Sequence, residues 1–164
     1  MRWRILMATA IVAGSSLCGL AMTDAARQRA RALRTLGEDI RRMRTQMLGM
    51  FAPVRDGLEL SASPLLRRVG EGMAEGLSAG DAWRRQARLP GCGAMLARED
   101  KEALDALFGE LGETGRERQD ALLSSAAQRL GELLEGATEQ ARRAERLYGA
   151  LGMLIGLLAA LLVI

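Results

Sequence analysis

The chain has no histidine, two cysteines, three prolines, five aromatic residues and a single lysine among its 164 residues. Each shortage excludes something. Without histidine, and with cysteine only at positions 18 and 92, the usual zinc sites and Cys/His catalytic sets have neither ligands nor bases to draw on. Cys18 and Cys92 are far apart, and Cys18 lies in an apolar run, so they outline no disulfide framework and leave the redox compartment, and the state of Cys92, open. Between Asp24 and Arg146 the only Ile and Val are Ile40, Val54 and Val69, so the branched side chains that suit a pleated surface are missing. What remains is an all-α fold of one domain's length.

Charge is missing at both ends. Residues 5–23 and 147–164 contain no Asp, Glu, Lys or Arg. Eighteen helical residues reach roughly 27 Å, close to the hydrocarbon thickness of about 30 Å, so both runs are candidate transmembrane segments. The expected organisation is an N-terminal span over 1–23, a helical bundle domain over 24–146 and a C-terminal span over 147–164. Met1-Arg2-Trp3-Arg4 followed by a short apolar stretch also describes a signal peptide. However, no small-x-small cleavage site precedes Asp24, and Leu17 before Cys18 does not suit a lipoprotein signal.

The net charge of +3 conceals a pattern: +2 over residues 1–4, +4 over 23–52, −4 over 53–136 and +1 beyond. Arg27, Arg29, Arg31 and Arg34 follow the first apolar run, and Arg142, Arg143 and Arg146 precede the second. This bias predicts a multi-pass protein of the cell membrane with its central domain in the cytoplasm.

Helical periodicity organises the middle. Ala26, Ala30, Leu33, Leu36, Ile40, Met43, Met47 and Met50 recur at steps of three and four, a stripe that Pro53 ends. A short turn carries Val54 and Leu58. Ser63 offers a cap with Pro64 at the first helical position, and Leu65, Leu66, Val69 and Met73 follow on one face. Gly76 to Gly80 reads as a turn, Asp81-Ala82-Trp83 opens another helix, and Leu89-Pro90-Gly91-Cys92-Gly93 is irregular. Leu104, Leu107, Phe108 and Leu111 stripe a helix that begins near Glu99 and stops at Gly112. Thr114-Gly115-Arg116-Glu117 fits a capping box. The helix it opens, with a stripe of Leu122, Leu123, Ala126, Leu130, Leu133, Leu134, Ala137 and Ala141, meets no proline before the chain ends.

Several of these segments resemble stage III sporulation protein AB. They are Gly76-Leu77-Ser78 with Asp81-Ala82-Trp83, the Leu111 to Gln119 stretch, and Tyr148-Gly149-Ala150-Leu151-Gly152 at the entry to the last apolar run. The resemblance covers nearly the whole chain, which departs from the family in its wealth of Gly and Arg and in placing Gly57 where a helix former belongs. It implies a mother-cell membrane protein of endospore-forming bacteria, located in the membrane around the forespore. It also implies a soluble part similar to the cytoplasmic helical domain of the type II secretion F protein, with no enzymatic activity and no cofactor. The implied partners are membrane lipids, a secretion-type cytoplasmic ATPase of the stage III sporulation protein AA kind, and other membrane proteins of the channel between mother cell and forespore.

Candidate functional residues follow. The arginines from Arg27 to Arg44 suit topology and lipid anchoring, at roughly 1 kcal/mol each near an anionic surface. Arg41 and Arg42 are also candidates for an ATPase-docking face. Glu113, Arg116 and Arg118 are candidate partner contacts, since a cap explains Thr114 and Glu117 but not the arginines. Gly152 and Gly156 form a G-x-x-x-G pair, and Ala10, Gly14 and Cys18 place small side chains every four residues, so both faces could pack helices closely in lipid. Glu99, Asp100, Glu102 and Asp105 read as an acidic first turn and not as a metal site. Trp83 reads as core. No aromatic platform accompanies the basic residues, which argues against nucleic acid, and neither a dinucleotide motif nor a P-loop is present, so no small-molecule substrate is expected. The competing reading is an exported, tail-anchored binding or sensor domain with a cleaved signal peptide.

Overall fold

The computed structural model describes the backbone of residues 2–50, 53–89, 93–112 and 115–163. Side chains are described for 23–47, 53–89, 93–112, 115, 117–151 and 154. The expected all-α architecture is present. Six helices follow one another: α1 Arg2–Met50, α2 Val54–Glu59, α3 Pro64–Ala74, α4 Ala79–Ala87, α5 Arg98–Glu110 and α6 Arg116–Val163, with no strand among the described residues. Two compact units emerge, one formed by 29–135 and one by 1–28 with 136–164.

The unit 29–135 is built on the α1 stripe. Leu33, Leu36, Ile40 and Met43 are buried, as are Leu58, Leu66, Val69, Trp83, Leu104, Leu107, Phe108, Leu111, Leu123 and Leu130 on the other helices. Helices α2 to α5 pack each against the next. Pro53 lacks the amide that would continue α1 and instead starts α2, its carbonyl accepting from the Asp56 amide at 3.1 Å. The puzzling Gly57 is buried where α2 crosses α1. A Cβ there would stand 2.8 Å from Cγ of Met43, so the missing side chain is what lets the two helices approach.

Ser63 and Pro64 open α3 as the sequence predicts, but the Ser63 hydroxyl makes no capping bond. The job falls to Asp39, a buried carboxylate of α1. Its two oxygens accept from the amides of Ala62 at 3.1 Å and Ser63 at 2.8 Å. The α3 end is closed by its own backbone. Gly76, at φ +93°, allows its amide to reach Met73 O at 3.0 Å and that of Leu77 to reach Gly72 O at 3.2 Å, the paired bonds of a Schellman turn. Ser78 then caps α4 by accepting from the Asp81 amide at 3.1 Å, which starts the helix at Ala79, two residues ahead of the expected Asp81. Trp83 is 1% exposed and stacks on Phe108 with ring centroids 5.4 Å apart, and its indole N–H donates to Asp105. α5 stops at a left-handed Gly112. The expected cap residue Thr114 lies outside the described residues.

In the other unit, Thr23, Ala137 and Ala141 are buried and Arg27 pairs with Glu145 at 2.7 Å. Further along α6, Leu147, Leu151 and Leu154 are 64%, 49% and 63% exposed. The expected flanking spans fall within α1 and α6. The structure does not support them as spans: among the described residues no helix is long and apolar enough to cross a membrane. Between Asp24 and Arg146 no run of 18 residues is free of Arg, Lys, Asp and Glu, and the two uncharged runs lie largely outside the described side chains. The apolar runs themselves, and the proposed packing residues Ala10, Gly14, Cys18, Gly152 and Gly156, have side chains largely or wholly outside the described residues.

Candidate partner-docking surface

The arginines of α1 sort into two classes. One class turns to the protein. Arg29 donates from Nε and Nη2 to the two oxygens of Asp100, each at 2.8 Å, and Asp100 is fully buried. Asp100 is the third residue of α5, and it also accepts from the Ala97 amide at 2.8 Å, half of a capping box whose other half Ala97 has no side chain to make. Arg44 forms a similar fork on Asp120 of α6, at 2.5 and 3.2 Å. Hydrogen bonding to Asp100 raises the pKa of Arg29 above its ordinary value, and hydrogen bonding to Asp120 does the same for Arg44. Reciprocally, hydrogen bonding from Arg44 holds the Asp120 carboxyl below its usual value.

The other class turns to solvent. Arg31, Arg34 and Arg41 are exposed, and no ion pair joins them to a described residue. Arg42 is exposed and reaches Asp39 only at 4.0 Å. Glu38, on the same face, is exposed and unpaired among the described residues. Of the predicted docking pair, therefore, Arg41 is free and Arg42 stands above a carboxylate already engaged by two amides. Arg41 lies over α6, its Nη2 3.9 Å from where a Cβ of Gly131 would sit.

The second predicted site is only partly visible. Arg118 is exposed and pairs with Glu110 at 3.1 Å. Glu113 and the side chain of Arg116 lie outside the described residues. The acidic cluster divides in the same way: Asp100 is structural, Asp105 receives Trp83, and Glu102 pairs with Arg98 at 2.8 Å. Among the described residues no group of His, Cys, Asp or Glu could hold a metal ion.

Arg31 and Arg34 are the residues that sequence reasoning passed over as docking candidates. Their signal was available: at 100° per residue they share the outer face of α1 with Glu38 and Arg41. Arg29 and Asp100 carried no such signal, since nothing local marks a charge as inward-facing.

The bundle, its long first and last helices and both apolar ends are covered by one comparison. A family model described as Stage III sporulation protein AB matches residues 4–164. The chain belongs to the stage III sporulation protein AB family. That membership gives it a role in sporulation. No curated protein and no solved structure matches the chain.

Proposed function

We propose that this family member is a non-enzymatic, membrane-attached scaffold of the secretion-like apparatus between mother cell and forespore. In this reading its apolar ends hold the bundle, of the type II secretion F kind, at the cytoplasmic face. There it links a secretion-type ATPase of the stage III sporulation protein AA kind to the membrane proteins of the channel. The observation that carries the reading is the change of surface along α6. Ala137 and Ala141 are buried, and further along the same helix Leu147, Leu151 and Leu154 stand exposed on one face of an uncharged stretch. A bare leucine face of that kind is stable against lipid tails and costly against water, at about 25 cal/mol per Å2. The sorting of the α1 arginines supports the scaffold role. A chain that works by holding neighbours needs a firm bundle and unspent surface charge, and Arg29 and Arg44 serve the first while Arg31, Arg34 and Arg41 serve the second.

The test has two stages. After lysis the full chain is expected in the membrane fraction, resisting carbonate extraction, and Cys92 is expected to be protected from an impermeant thiol reagent in intact cells. Recovery in the soluble fraction would remove the membrane reading, and ready labelling of Cys92 would favour the exported sensor. The full chain in detergent is then expected to retain the ATPase on a column. An Arg116→Glu/Arg118→Glu double variant that retains it as well as the parent would remove those two residues from the contact.

A further inference from the structure

We infer that the outer face of α1 between Arg31 and Arg42 is a protein-docking surface, and that its partner is an acidic surface carrying a basic residue within it. The inference rests on the scaffold reading and names the contact that reading needs.

Arg31, Arg34, Glu38, Arg41 and Arg42 fall within an arc of roughly 100° and a length of roughly 16 Å along the helix. All five are exposed, and Arg31, Arg34, Glu38 and Arg41 make no ion pair with a described residue. Elsewhere in the unit 29–135 most exposed arginines are spent on neighbours, Arg55 on Glu59 at 3.1 Å, Arg84 on Asp81 at 3.1 Å and Arg129 on Glu132 at 3.0 Å. The α1 face therefore combines clustering with the lack of internal partners. Four guanidinium groups present forked donors suited to carboxylates.

Glu38 decides what kind of partner fits. It sits between Arg34 and Arg41, so the stripe reads positive, positive, negative, positive. A uniformly anionic surface, whether lipid headgroups or a nucleic-acid backbone, would attract the arginines and repel Glu38. A protein surface can place a cation opposite Glu38 and acids opposite the arginines, satisfying every charge at once. A second copy of this chain would bring two net cationic faces together, which repel.

The experiment uses the full chain in detergent, with the stage III sporulation protein AA-like ATPase as probe and binding measured at several salt concentrations. Arg31→Glu/Arg34→Glu/Arg41→Glu is expected to weaken binding at least tenfold and to flatten its salt dependence. Arg67→Glu on α3, where another exposed arginine is free among the described residues, is the control and should change the affinity less than twofold. Glu38→Arg gives the sharper reading. Binding to the ATPase should weaken, whereas association with phosphatidylglycerol vesicles, a uniformly anionic surface, should strengthen. Unchanged affinity in the triple variant, an equal loss at Arg67→Glu, or tighter ATPase binding by Glu38→Arg would each overturn the inference while leaving the scaffold reading in place. Failure of the parent chain to bind the ATPase at all would overturn both.

Discussion

Arg29 and Asp100, 71 positions apart, meet in a two-pronged hydrogen-bonded ion pair with both distances at 2.8 Å. Asp100 is wholly enclosed and the Arg29 side chain is 17% exposed, so removing either partner strands a charge away from water. Asp100→Ala is expected to cost about 3–5 kcal/mol. Arg29→Lys should cost less, about 1–2 kcal/mol, since an ammonium keeps the charge but cannot reproduce the fork. Chemical denaturation followed by circular dichroism measures both, and equal, near-zero effects would show that the pair contributes nothing to the fold.

Asp39 supplies two acceptors to the backbone before α3, and the variants at this position should rank by how many remain. Asp39→Asn keeps one acceptor and should lose about 1–2 kcal/mol. Asp39→Ala leaves both amides without a protein partner and should lose about 2–4 kcal/mol. Hydrogen exchange at Ala62 and Ser63 is the local readout, with faster exchange expected in the same order.

Gly57→Ala tests the crossing of α1 and α2. The added methyl would meet Met43 Cγ at 2.8 Å, and Met43 is 1% exposed, so its flexible side chain has no free space to move into. A loss of about 1–3 kcal/mol is expected, despite the better helix propensity of alanine. Combined with Met43→Ala the same change should cost clearly less than it does alone. Strict additivity in that double-mutant cycle would rule out the steric explanation.

The pH profile follows from Asp120. Hydrogen bonding from Arg44 lowers its folded pKa below the value in the unfolded chain. The unfolded state therefore binds the proton more readily, and the pair's contribution is present above about pH 4 and lost as pH falls through the folded pKa. With no histidine in the chain, stability should be nearly flat from about pH 5 to 8. Asp120→Asn should reduce the acid slope and lower the plateau without tilting it, and a plateau that tilts in the parent would contradict the assignment.

Those pairings mark the boundary of what could be read without coordinates. The apolar stripe of α1, the Ser63-Pro64 start, the stop at Gly112 and the long last helix are local patterns, set by spacing, proline geometry and capping preference, and each lies where the pattern places it. Asp39, Arg29 and Asp100 are different. A charged residue in an amphipathic segment reads as surface, because only the assembled bundle shows that Asp39 faces the start of α3 or that Arg29 faces α5. Gly57 was conspicuous as an anomaly, yet its cause, Met43, lies 14 positions away in the preceding helix. The proposed docking face was half legible: Arg41 and Arg42 stood out as a pair, while the distinction between spent and unspent arginines needed their partners.

Trp83, enclosed against Phe108 and tied to Asp105, makes the α4–α5 hairpin its own optical gauge. The chain's one other indole is Trp3, so a Trp3→Phe variant would leave a fluorescence signal arising from that hairpin alone. An emission maximum at short wavelength from the purified variant in lipid vesicles would then report a closed core without an added label.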